Sequence, residues 1–132
     1  MAWKLVYHAE EPDDPQVGDI WPEPHWANSN IISEAYKDKA RLQRPPLVCH
    51  LPSLSDPEGI RFLLDRVAHG DKSRKGWEIT ITGPLVPGET PDITVKPSIN
   101  CDGSYHGYIK HGVITDDCEG REYPGIIARK PA

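Results

Sequence analysis

Trp77-Glu78-Ile79-Thr80-Ile81-Thr82 decides the fold, because apolar and polar side chains alternate along these six residues. Successive side chains of a strand point to opposite faces, so a period of two predicts a β-strand with one buried face. The segment from Ile93 to Val95 repeats the pattern, and we expect Pro97 to limit that strand. The predicted core consists of Trp77, Ile79, Ile81, Ile93, Val95 and Ile109.

Short apolar runs predict the remaining strands. The segments 3–7 and 47–51 each read as one strand, and 105–109 with 113–115 reads as a hairpin. Its turn contains Gly112, and glycine supplies the positive φ that a tight hairpin turn requires. Fourteen prolines and eleven glycines favour turns and short elements over long helices. We expect a mainly β fold, with α+β as the alternative: a single compact antiparallel sheet domain over 1-132 with one or two short helices.

Two segments are candidates for the helices. The apolar spacing from Ile31 to Leu42 predicts a short helix, which Arg44-Pro45-Pro46 ends. Ser55-Asp56-Pro57-Glu58 resembles a helix start with proline at the first helical position. The residues from Ile60 to Val67 fit a helix or a strand, because periodicity does not decide over so few residues. Residues 8–30 are predicted to be irregular, acidic and rich in proline and tryptophan.

Composition and charge limit the function. A chain of 132 residues fits one domain, and its net charge is −5. No apolar run is long enough to span a bilayer or to serve as a signal peptide, which predicts a cytoplasmic protein. Three cysteines are too few, and odd in number, for a disulfide framework, so we expect free thiols or metal ligands. A nucleic acid is not the expected partner, because phosphate binding needs a concentrated basic surface.

The negative charge is concentrated at the N-terminus, where residues 1–35 hold seven acids and one base. Such a segment suits a basic protein partner, and tryptophan is enriched at binding hot spots. The predicted partner-binding residues are Glu10, Glu11, Asp13, Asp14, Trp21 and Trp26. The alternatives are a solvated surface with local charge bias and tryptophans that cover the core.

Thiols and imidazoles suggest a zinc site, because Cys and His are the usual zinc ligands. The candidate ligands are Cys49, His50, Cys101 and His106, with Cys118 as a further member. The alternative is a buried thiol and a hydrogen-bonded strand histidine.

An acidic segment and two serines near His106 are further candidates for a chemical role. Asp116-Asp117-Cys118-Glu119 suits a hard cation or an acid–base group, or else is an acidic turn. Ser98 and Ser104 lie near His106 in sequence, but no Gly-x-Ser-x-Gly motif exists, so nucleophilic catalysis is not predicted.

A spaced pattern runs through most of the chain. Its parts are residues 76–83, 93–100 and 105–117, the opening segment 1–8, and the steps Gly18-Asp19-Ile20-Trp21 and Arg44-Pro45-Pro46-Leu47. This pattern resembles a family of small uncharacterised proteins encoded mainly by bacteriophages and prophages. Some of those proteins carry the label ammonia monooxygenase, which this sequence does not support because it has no membrane segment and no convincing copper site.

A broader family of zinc-bound β-domains of unknown function is also similar. It has Ser-Pro-Ser-Ile where this chain has Lys96-Pro97-Ser98-Ile99, and a His-x-aromatic-Ile core like that of residues 106–109. The resemblance implies that Cys49, Cys101 and His106 occupy zinc-ligand positions. This chain departs from that family by having Cys49-His50 where the family has paired cysteines.

The residues and the resemblance together predict a phage-encoded, non-enzymatic binding protein. It would act as a host-directed inhibitor of a defence or regulatory factor, or as a minor virion component. The expected partner is a host or virion protein, without a membrane, and the expected location is the host cytoplasm or the virion. The alternative is a small zinc-dependent hydrolase that uses the four candidate ligands and the acids of residues 116–119.

Overall fold

The computed structural model describes residues 2–23, 47–64, 78–101 and 104–123, and this part of the chain is all β. It contains nine strands: β1 (Trp3–Lys4), β2 (Val6–Tyr7), β3 (Asp19–Pro22), β4 (Leu47–Leu51), β5 (Ile60–Leu63), β6 (Glu78–Thr82), β7 (Asp92–Cys101), β8 (Tyr105–Lys110) and β9 (Val113–Ile114). Within these ranges no helix has the length and apolar character needed to cross a membrane.

The strands form two sheets rather than the single sheet expected from the sequence. The first sheet has the order β1-β9-β8-β7-β6, and all its pairs are antiparallel. The second sheet has the order β2-β3-β4-β5, in which β2 and β3 are parallel and the other pairs antiparallel. The mainly β fold class is therefore confirmed, while the number of sheets is corrected.

The N-terminal segment passes from one sheet to the other, which explains the division. The predicted single strand 3–7 is interrupted at Leu5, whose amide donates to the Gly112 carbonyl in the turn of the first sheet. The amide of Val6 donates instead to the Gly18 carbonyl beside the second sheet. Leu5 is completely buried at this crossing point. Leu5 is therefore the buried residue at which the N-terminal segment passes between the two sheets.

Both sheets contribute to one hydrophobic core, as period-two burial requires. Ile93, Val95 and Ile109, which were predicted core residues, are fully buried. Ile79 and Ile81 are half-buried and pack against the same core, and Trp77 lies outside the described residues. The other buried core members are Trp3, Leu5, Val17, Ile20, Leu47, Cys49, Leu51, Leu64, Ile99, Tyr105, Ile114 and Tyr123.

Strand β7 continues through Pro97, contrary to the expectation that proline limits it. The pairing with β8 shifts register between Val95 and Ile99. Proline lacks an N–H group, and a bulge is one of the places where a strand tolerates it. The irregularity therefore lets one strand run from Asp92 to Cys101.

The segment after β4 forms a turn rather than the start of a helix. The amide of Gly59 donates to the Asp56 carbonyl at 3.0 Å, and the Glu58 amide donates to Asp56 Oδ1 at 2.9 Å. Ile60–Leu63 then pairs with β4, so the strand alternative is confirmed there. The helix predicted for residues 31–42 lies outside the described residues.

Candidate functional site

An acidic loop, residues 8–18, connects the parallel strands β2 and β3 and is fixed at both ends. Asp19 is 1% exposed and accepts hydrogen bonds from His8 Nε2 at 2.7 Å and from the Gln16 amide at 2.8 Å. The Val6 amide donates to the Gly18 carbonyl, and the His8 amide donates to Ile20. These contacts fix both ends of the loop, although residues 8–18 contain no strand.

The predicted acidic residues are displayed by this loop. Glu10, Glu11, Asp13 and Asp14 are all exposed. Arg61 on β5 pairs with Glu11 Oε1 at 3.2 Å and with Glu23 Oε2 at 2.9 Å. The ion pair ties the acidic loop to the edge of the second sheet.

The turn between β4 and β5 extends the same negative surface. It contacts the acidic loop because Gly59 lies directly against the side chain of Val17. Asp56 and Glu58 are exposed in this turn, and Leu54 beside them is 56% exposed. We call the six exposed carboxylates the acidic surface: Glu10, Glu11, Asp13, Asp14, Asp56 and Glu58.

Of the two tryptophans predicted to bind a partner, the structure describes only Trp21. Trp21 is in strand β3, opposite Val48, rather than in an irregular segment, and it is completely buried. Its ring lies 5.5 Å from that of His50. Its burial agrees with the alternative in which the tryptophan packs within the fold, so it is not part of the acidic surface. Trp26 lies outside the described residues.

The candidate zinc ligands Cys49 and His50 point to opposite faces of β4, as expected for neighbours in a strand. Cys49 is fully buried in the core, whereas His50 Nδ1 lies 3.0 Å from the Glu58 carbonyl oxygen. The described residues contain no group of three or more His, Cys, Asp or Glu side chains placed to hold a metal ion. The side chain of Cys101 is outside the described part, and the zinc site stays a prediction.

His106 on β8 is the centre of a second cluster, on the face of the first sheet away from the core. Its Nε2 lies 3.1 Å from Ser98 Oγ, and its Nδ1 lies 3.4 Å from Glu119 Oε2. Its side chain is 27% exposed. Both ring nitrogens therefore have side-chain partners, one hydroxyl and one carboxylate.

Asp117 holds the turn that presents Glu119. Its side chain is completely buried and accepts hydrogen bonds from four donors. Two are the amides of His106, at 3.1 Å, and Glu119, at 2.7 Å. The others are the Tyr123 hydroxyl, at 2.5 Å, and Arg121 Nη1, at 3.1 Å. The four bonds fix the turn against β8.

These contacts explain the ionisation of the buried groups. Burial by itself raises the pKa of Asp117, but the bonds from Tyr123, the two amides and Arg121 outweigh it and lower the pKa to about 2. Burial, together with the hydrogen bond to Asp117, raises the pKa of the Tyr123 phenol. Asp117 therefore stays ionised and Tyr123 neutral at physiological pH.

A cavity of about 520 Å³ lies beside this turn. Trp3 and Tyr123 form part of its wall, with their rings edge to face at a centroid distance of 5.6 Å. Trp3 Nε1 is buried and has no hydrogen-bond partner within the described part of the chain. The remaining lining residues are Asp116, Asp117, Gly120, Arg121 and Glu122.

Acid is expected to weaken the fold through Asp117. Because its pKa is about 2 in the folded chain and 3.8 ordinarily, its stabilising effect is present above pH 4 and is lost as the pH falls toward 2. The loss amounts to no more than about 2 kcal/mol. Urea unfolding at pH 6 and pH 2.5 measures it for the wild type and Asp117→Asn, with Asp13→Asn as an exposed control. A wild type and Asp117→Asn that lose the same stability in acid would refute this role of Asp117.

Comparison of the chain with protein-family models, curated proteins and solved structures finds no match in any of the three. The resemblance to phage-encoded proteins therefore stays an expectation.

Sequence reasoning missed part of the second cluster. It treated Glu119 as one of three acids in a turn, and it did not single out Tyr123. Ser98 and His106 were noted as neighbours in sequence, but a hydrogen bond between them requires the pairing of β7 with β8. That pairing puts Asn100 opposite His106, and therefore Ser98 on the diagonal of the same face, and no local pattern in the sequence gives this register.

Proposed function

We propose that this chain is a phage-encoded protein-binding module whose acidic surface holds a basic host or virion protein. The observation that carries the proposal is the acidic loop, which displays four exposed carboxylates and is fixed at its ends by the contacts of Asp19 and by backbone hydrogen bonds. Exposed charges on a mobile segment would not support the same argument. A loop that is already ordered loses less conformational entropy when a partner binds.

Charge supports a basic partner. The acidic surface has six exposed carboxylates, and Arg61 pairs with one of them, Glu11. Complementary charges accelerate encounter and select against partners of the same sign. The exposed Leu54 adds an apolar contact beside Asp56 and Glu58. The surface therefore suits a basic protein segment with an apolar side chain among its cations.

Affinity capture from extracts of infected bacteria, with the whole protein as bait, tests the proposal. The captured protein is identified, purified and assayed with two variants of equal charge change. Glu10→Gln/Asp14→Asn alters the acidic surface, and Asp116→Asn/Glu122→Gln alters two exposed acids that line the cavity beside the 116–123 turn. We expect the first variant to bind about 3-fold or more weakly at low salt and the second to bind like the wild type. Equal binding by all three proteins would reject the acidic surface as the binding site.

Separation of phage particles from the remaining extract of the same infected cells distinguishes a virion component from a host-directed inhibitor. A virion component co-purifies with phage particles, whereas an inhibitor remains in a stable complex with a host protein in the cytoplasm.

A further inference from the structure

The His106 cluster brings a hydroxyl, an imidazole and a carboxylate together in that order. A nucleophile and a base within hydrogen-bond reach, with the base oriented by a third group, are the geometric signature of nucleophilic catalytic sites. Ser98 Oγ and His106 Nε2 are 3.1 Å apart, and Glu119 Oε2 lies 3.4 Å from the other ring nitrogen. We propose that Ser98, His106 and Glu119 form a catalytic triad that hydrolyses small carboxylic esters. This activity goes beyond the binding function and lies on the other sheet.

Strand β7 explains how Ser98 comes to face His106. The register between β7 and β8 shifts between Val95 and Ile99, and Ser98 lies within the irregular part. Bulges re-aim side chains and are over-represented next to active sites. Ser98 is half-buried and His106 is 27% exposed, so both side chains are partly accessible to solvent.

Glu119 is positioned by the backbone contacts of its turn and by an ion pair of its carboxylate. The Cys118 amide donates to the His106 carbonyl at 2.6 Å, and the His106 amide donates to Asp117. Arg121 Nη2 donates to Glu119 Oε2 at 3.0 Å. The turn is therefore bonded to both backbone groups of His106, and Arg121 holds the Glu119 carboxylate beside Nδ1. Catalytic side chains need supporting contacts of this kind to stay in a productive geometry.

The reaction follows from these positions. Ser98 Oγ attacks the ester carbonyl carbon, and His106 Nε2 accepts the hydroxyl proton while Glu119 stabilises the imidazolium. The tetrahedral intermediate collapses, the C–O bond to the alcohol breaks, and His106 returns the proton to the leaving oxygen. Water then attacks the acyl-serine with His106 as the base, which releases the carboxylic acid and restores Ser98. No oxidant or other co-reactant takes part.

A fluorophosphonate probe tests the proposal with the full-length protein, because it modifies an activated serine irreversibly. Intact mass and peptide mapping locate the label, and turnover of p-nitrophenyl acetate is measured on the same samples. We expect one label at Ser98, absent in Ser98→Ala and at least about 100-fold slower to form in His106→Gln. Glu119→Gln is expected to slow labelling as well, with its thermal midpoint near that of the wild type because Glu119 is half exposed.

Ser104→Ala is the matched control, since Ser104 also lies near His106 in sequence but has no bond to its ring among the contacts described here. It is expected to label like the wild type. A folded wild type that takes up no probe would overturn the proposal. So would labelling at another residue, or labelling of Ser98 that His106→Gln leaves unchanged. None of these results bears on the acidic surface, which is assayed separately.

Discussion

Replacing Ile109 by alanine is expected to lower the free energy of unfolding by about 2–5 kcal/mol. Ile109 is completely buried on β8 and pairs with both Val95 and Ile114, so truncation leaves a cavity that the two neighbouring strands cannot easily close. Urea denaturation measures the loss.

Ile81→Ala is the matched control for this prediction, because it removes the same atoms from β6 at the edge of the described sheet. Ile81 is only half-buried and packs on the rim of the core. Its truncation is expected to cost about 1 kcal/mol. Equal losses for the two variants would contradict the core described here.

Replacing Gly112 by alanine is expected to have the second large effect. Gly112 has a φ of +79°, and a Cβ on it would overlap the carbonyl oxygen of Pro91. The Gly112 carbonyl also accepts a hydrogen bond from the Leu5 amide, and its own amide donates to the Ile93 carbonyl. A shift of Gly112 would therefore weaken the contacts at Leu5, where the chain passes between the sheets. The positive φ alone costs about 1–2 kcal/mol, and the overlap with a backbone atom adds about 1–3 kcal/mol.

Gly83→Ala separates these two contributions. Gly83 has nearly the same φ, +77°, but no atom of the described residues lies within 4 Å of the position its Cβ would take. The free energy of unfolding of Gly83→Ala is expected to fall by only about 1–2 kcal/mol, which is the cost of placing an L-residue at a positive φ. Thermal midpoints of both variants, compared with the wild type, measure the difference. Equal destabilisation would show that the contact with Pro91 is unimportant.

Strands encoded by local alternation could be predicted from the sequence. Residues 78–82 and 47–51 and the hairpin around Gly112 are where the pattern of apolar residues and the turn chemistry place them. The division into two sheets could not be predicted in this way. It depends on which distant carbonyls receive the amides of Leu5 and Val6, and no local pattern encodes those partners.

The candidate sites were predictable to different degrees. The exposed acids follow from composition, because charged side chains on a proline-rich segment are usually solvated. The burial of Trp21 depends on its pairing with β4, which is a long-range contact. Ser98, His106 and Glu119 belong to no sequence motif, and they meet only because of the β7 irregularity and the turn held by Asp117.

The rate of association with the purified partner tests the central claim, that the acidic surface binds a basic protein. It is measured at low and high salt for the wild type, Glu10→Gln/Asp14→Asn and the control variant Asp116→Asn/Glu122→Gln. The account predicts a rate that falls with salt for the wild type and the control, and a slower rate with weaker salt dependence for Glu10→Gln/Asp14→Asn. A rate that is independent of salt in the wild type, or equally slowed by both variants, would contradict it.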